Sequence, residues 1–153
     1  MTAVAAQAAT DVRAYAVEEL WYLLLSRRWS CLVLVSPHRT PNTLRLARDL
    51  AEFGAQHRRR PIEVIDALEL DIERASTIAR RIEAKGDLRR LDESRFIVAL
   101  DSPIANPSAI EVLTASDAVV LLVEKGATTI PEARRIIEIV GRQRLVGAVF
   151  ALD

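Results

Sequence analysis

Five short apolar runs punctuate the chain: Cys31–Val35, Ile62–Ile65, Phe96–Leu100, Ala118–Val123 and Leu145–Ala151. They are rich in Val, Ile and Leu without polar alternation, the pattern of parallel strands covered on both faces. The stretches between them carry helix punctuation. Thr40–Pro41 and Asn106–Pro107 each place a capping residue ahead of a proline suited to the first helical position. Thr129-Ile130-Pro131-Glu132 has capping-box spacing ahead of Ile136, Ile137 and Val140, and Gly141 closes that helix. Asp71 to Lys85 reads as a further amphipathic helix closed by Gly86. Strands that alternate with helices predict an α/β fold: a doubly wound, predominantly parallel five-stranded sheet with helices on both faces.

Ahead of the first strand a helix is expected from about Asp11 to Arg27, with Thr10 or Asp11 as its cap. Residues 1–9 read as a flexible tail, and residues 10–153 as one domain without repeats or linkers. Leu20-Trp21-Tyr22-Leu23-Leu24-Leu25 is apolar around the whole helix circumference. Such a helix is covered on more than one side, by its own domain or by a partner. Core packing and interface weigh evenly for Trp21 and Tyr22. With Leu25 they form the candidate interface, of which some part should face outward.

Composition narrows the choice of partner. Half of the 153 residues are hydrophobic and 27% are charged, with 21 acidic and 21 basic side chains. No net field draws nucleic acid or an anionic membrane, so neither nucleic-acid binding nor direct membrane insertion is expected. His57-Arg58-Arg59-Arg60 reads as a charged turn between helix and strand, and Arg134-Arg135 as a solvated helix face. The single cysteine, Cys31, lies in an apolar run and reads as a packed thiol. No apolar stretch approaches the roughly 20 residues needed to cross a bilayer. Met1 to Ala9 lacks the blocks of a signal peptide. The expected location is the cytoplasm.

In an open parallel sheet, ligands bind beyond the carboxyl ends of the strands. Three such ends are polar here: Ser36-Pro37-His38-Arg39-Thr40-Pro41-Asn42-Thr43, then Asp66, then Asp101-Ser102-Pro103. Phe96-Ile-Val-Ala-Leu-Asp-Ser-Pro103 resembles the Walker B segment of the bacterial tyrosine kinases of capsular and exopolysaccharide synthesis. Ala115-Ser-Asp-Ala-Val-Val-Leu-Leu-Val-Glu-Lys-Gly-Ala-Thr128 is similar to a later stretch of that family. Val64-Ile65-Asp66 resembles its second strand and Leu145-Val-Gly-Ala-Val-Phe150 its last. The wider relatives are the MinD/ParA ATPases. The resemblance implies a P-loop NTPase-like, SIMIBI-type sheet. Its expected strand order is second, third, first, fourth, fifth, with right-handed crossovers.

Departures from that pattern shape the expected function. A phosphate loop needs glycines, a lysine for the β/γ-phosphates and a hydroxyl on Mg²⁺. Here the glycine positions fall on Thr40 and Asn42, the lysine on Thr43 and the hydroxyl on Leu44. The first lysine of the chain is Lys85. Pro41 removes a backbone donor and starts the helix early. The family's second Asp after the second strand is Leu68. Ser36, Thr40, Asn42, Thr43, Asp66, Asp101 and Ser102 therefore outline a degenerate nucleotide pocket, with no catalytic residue and no metal ligand assigned. Asp66 and Asp101 default to structural roles at strand ends. His38 and Arg39 are read as a solvated loop or, alternatively, a replacement anion site. ATP and Mg²⁺ binding is expected to be weak or absent, since phosphoryl transfer depends on positioning and charge neutralisation. The resemblance then implies a non-catalytic pseudo-ATPase or pseudokinase that regulates or scaffolds bacterial exopolysaccharide assembly or export. Its partner would be a membrane co-polymerase or another cytoplasmic subunit, which could recruit it to the inner membrane, or a second copy of itself. The alternatives are a divergent ATPase or tyrosine autokinase of the same pathway, and a ParA/MinD-like positioning factor.

Overall fold

The computed structural model describes residues 16–84 and 95–151. The expected tail at residues 1–9, the first helix's cap and the helix end at Gly86 lie outside them. A helix α1 at residues 16–24 leads into β1 (Cys31–Val35). Then follow α2 (Pro41–Arg58), β2 (Glu63–Ala67), α3 (Ile72–Ala84) and β3 (Phe96–Leu100). The chain continues through α4 (Ala109–Ala115), β4 (Ala118–Glu124), α5 (Ile130–Val140) and β5 (Leu145–Ala151). All five strands are parallel in the order β2-β3-β1-β4-β5, the order expected from the sequence.

The helix starts follow from local chemistry. Thr40 caps α2 through its side-chain oxygen, which accepts from the Asn42 N–H, with Pro41 in the first turn. Thr129 and Glu132 form the reciprocal capping box of α5, satisfying donors that would otherwise be orphaned. The Asn106–Pro107 signal acts differently from its reading. Asn106 Oδ1 accepts from Ser108 N and opens a turn, while α4 itself starts at Ala109.

Alternation along the buried strands sorts side chains into two cores. Cys31, Val33 and Val35 point to one face, where α3, α4 and α5 supply Ile78, Ile82, Val112, Leu113, Ile136 and Val140. Leu32 and Leu34 point to the other, where α1 and α2 supply Leu20, Trp21, Leu24, Ala47 and Leu50. The two helices on this second face approach closely at Gly54. A Cβ built there would lie 2.5 Å from Trp21 Cζ3 and 2.7 Å from Ile62 Cδ1, so no larger residue fits without displacement.

Three readings need correction. Trp21 is not an interface residue: it is fully buried, roofed by Gly54 and set edge-on to Trp29 at 6.0 Å. The second strand is Glu63–Ala67 rather than Ile62–Ile65, so Asp66 lies within it and not at its end. The strand is at the sheet edge, where exposed Glu63 and Asp66 are tolerated. The first helix gives way to turn after residue 24, short of Arg27, as Ser26 and Arg27 donate to the carbonyls of Leu23 and Leu24. Among the described residues no helix is long and apolar enough to cross a membrane.

Candidate functional site

The chain leaves β1 toward α2 on one face and leaves β3 toward α4 on the other. This divergence makes the crevice at the carboxyl ends of β1 and β3 the place where an open α/β sheet binds ligands. Here the protein's own side chains knit it shut. Asp101, directly after β3, is fully buried. Arg39, from the β1–α2 loop, grips it with two bonds: Nε donates to Oδ1 at 3.1 Å and Nη2 to Oδ2 at 2.7 Å. The Ser102 N–H donates to Oδ1 at 2.9 Å, and Asn106 Nδ2 to Oδ2 at 3.2 Å. A carboxylate has about four lone-pair positions, and these four donors fill them.

Burial pushes the Asp101 carboxyl up. The bonds from Arg39, Asn106 and Ser102, with the Arg39 charge, outweigh burial and hold it below the usual aspartate range. Arg39 itself is largely exposed, so the pair is a surface cation closing over a buried anion. Below it the Ser102 hydroxyl donates to the Pro37 carbonyl, tying the two loops a second time. Ser36 is also buried, and its Oγ accepts from the His38 N–H.

The other side of the β1 loop is fastened to the β4–α5 segment. His38 Nε2 lies 3.0 Å from the Ala127 carbonyl and 3.0 Å from Glu132 Oε2. Glu132 is held below the ordinary glutamate range by the Thr129 hydroxyl and backbone N–H, with a contribution from His38. Asn42 Nδ2 donates to Glu124 Oε2 at 3.1 Å. The loop is thereby bound on both flanks.

Of the pocket residues read from the sequence, Ser36, Asp101 and Ser102 come together in the crevice with Arg39. Thr40 and Asn42 stand at the start of α2. Thr43, at the lysine position, is buried against the sheet side of that helix, and its hydroxyl finds no hydrogen-bond partner. Asp66 stays apart, accepting from the Leu68 N–H with Oδ1 while its carbonyl takes a bond from Arg74. Arg39 is the exposed loop residue expected, but not a free anion site, because its guanidinium is paired with Asp101. Asn106 was not among the site residues. Its signal was its place five positions after a buried strand-end aspartate.

Two shallow surface depressions lie away from the crevice, one along α5 beside Ile137 and one at the start of α3. Among the described residues no group of three or more His, Cys, Asp or Glu is arranged to hold a metal ion. At the end of the first helix and in the turn after it, Tyr22, Leu23 and Leu25 are 51%, 47% and 42% exposed. Neither a comparison with protein-family models nor one with curated proteins finds a match for this chain.

Proposed function

We propose that this chain is a non-catalytic binding protein of P-loop ATPase descent, acting through protein contacts rather than nucleotide turnover. The saturation of Asp101 carries this reading. In an ATPase of the kind the sequence resembles, the strand-end carboxylate must accept from a metal-held water. Here its lone pairs are occupied by Arg39, Asn106 and the Ser102 N–H. Opening the site would leave a buried carboxylate without its cation, beside a helix start that has a proline and no lysine. The sequence resemblance supports a regulatory or scaffolding role in bacterial exopolysaccharide assembly. A cytoplasmic location and a partner in the membrane co-polymerase or another subunit go with that reading. The half-exposed Tyr22, Leu23 and Leu25 give the surface such a contact would use.

The test is a titration of the intact protein with ATP and Mg²⁺, by calorimetry and thermal shift. The expected dissociation constant is no tighter than about 1 mM, near −4 kcal/mol. A ligand at 100 times its dissociation constant stabilises a fold by about 2.7 kcal/mol, an effect visible in melting. Micromolar affinity would overturn the proposal and restore the enzyme alternative.

A further inference from the structure

The two edges of the sheet are built differently. β2 carries exposed Glu63 and Asp66, follows Pro61, and has Arg81 paired with Glu63. Charges and proline are the usual devices that stop an edge strand from pairing with another chain. β5, at the opposite edge, reads Leu-Val-Gly-Ala-Val-Phe-Ala and has none of them. It has β4 as its only strand partner among the described residues. Apart from the Leu145 N–H, which donates to the Gly141 carbonyl, its outer row of backbone donors and acceptors has no partner among the described residues.

The side chains on this strand are self-complementary. Only Ala148 and Phe150 are exposed within β5, and Phe150 is 70% exposed. They pair with Leu121 and Val123, which both belong to the α3–α5 core, so they share one face of the sheet. Val149 packs on the other face. We propose that β5 is the interface between two copies of this chain, paired antiparallel about a two-fold axis at Val149. In that register each Phe150 lies opposite the partner's small Ala148, and Val149 meets itself. A regular pairing of residues 147–151 follows the bulge near Val146. No charge in the strand opposes this approach.

The edge has adequate area. Seven residues span about 23 Å. With a helix layer on either side of the sheet, each layer about 10 Å deep, the end wall measures roughly 700 Å² per copy, close to the ~800 Å² of a standard interface. Leu23 of α1 lies beside Gly147, where an added Cβ would be 3.6 Å from its Cδ2, and extends the apolar wall on that face.

The experiment measures mass against concentration by light scattering and sedimentation, together with a cysteine placed on the axis. Wild type is expected to be a dimer dissociating in the roughly micromolar range. Phe150→Lys should make it monomeric with unchanged circular dichroism. Val149→Cys should oxidise to a covalent dimer, because opposed residues in antiparallel strands lie about 4.5–5.5 Å apart, inside the disulfide range. Ile72→Cys, more exposed than Val149 but on α3, should not. A wild-type monomer at all concentrations up to about 1 mM overturns the proposal. So does a dimer that persists in Phe150→Lys, or one in which Val149→Cys does not cross-link. The cross-link keeps the test decisive if Phe150→Lys fails to fold.

Discussion

Gly54→Ala is the most informative single change, because two opposing effects meet at one methyl group. In a solvent-exposed helix interior the change would stabilise by about 1 kcal/mol through helix propensity. At this position the new Cβ would stand 2.5 Å and 2.7 Å from Trp21 ring carbons and 2.7 Å from Ile62 Cδ1, all well inside contact distance. Trp21 cannot simply swing aside: it is fully buried and wedged edge-on between Trp29 and His57, with ring centroids at 6.0 Å to each. Overpacking of this kind costs about 1–3 kcal/mol and occasionally more. The net expectation is a loss of up to about 2 kcal/mol, or up to about 8 °C in melting temperature for a chain of this size. Urea unfolding followed by the fluorescence of the two tryptophans, both in this core, reads it directly. The decisive control is Trp21→Leu, which removes the obstructing ring. In that background Gly54→Ala should become neutral or stabilising, giving a coupling energy of more than about 1 kcal/mol. Additive losses would show that the α1–α2 contact is not set by this ring, and the argument for Trp21 as core would fail.

Two further outcomes follow from the capped and charged groups. Asp101 has a folded pKa below its ordinary value of about 3.9, so it stabilises the fold above that pH and loses this contribution as pH falls through the folded pKa. Asp101→Asn should therefore flatten the acid limb of a stability–pH curve below about pH 4, and an unchanged limb would remove Asp101 as its cause. Thr129→Ala removes the side-chain half of the α5 capping box, the hydroxyl that accepts from the Glu132 N–H, and should cost about 1 kcal/mol in urea unfolding; a loss below a few tenths would mean that water replaces the cap.

The sheet was legible because its central strands are runs of Val, Ile and Leu buried on both faces. β1 and β3 have no exposed position, and the bounds read from their sequences are the bounds observed. β2 was displaced because it is an edge strand whose Glu63 and Asp66 face solvent. Periodicity therefore marked only its apolar portion. Trp21 could not be placed from its own helix, since the space it fills is made by the absence of a side chain at Gly54. An isolated glycine inside a helical pattern was the available signal. The closed crevice was half legible. The missing lysine could be read directly, but the replacement cation could not, because Arg39 and Asp101 lie 62 positions apart and meet only in the folded chain. A buried aspartate without lysine or metal nevertheless demands a counter-charge, and Arg39 is the one arginine between Ser36 and Thr43.

The strand order also sets a schedule for the nascent chain. Among the described strands β1 is the first to be made, yet it lies in the middle of the sheet, where its partners are β3 and β4. Its first partner, Phe96, is made 65 residues after Cys31. At about 5–20 residues per second that interval is roughly 3–13 s, during which Cys-Leu-Val-Leu-Val has no strand to join. The preceding α1 and the following α2 can shield only the Leu32 and Leu34 side in that time, through Trp21 and Leu50. The face bearing Cys31, Val33 and Val35 has only α3 of its covering helices in that time and waits for α4 and α5. Premature association during synthesis should therefore begin on that side of β1, and Cys31 is placed to report it. Its thiol should react with an alkylating probe on stalled chains ending before residue 96 and resist it once β3 and β4 have emerged.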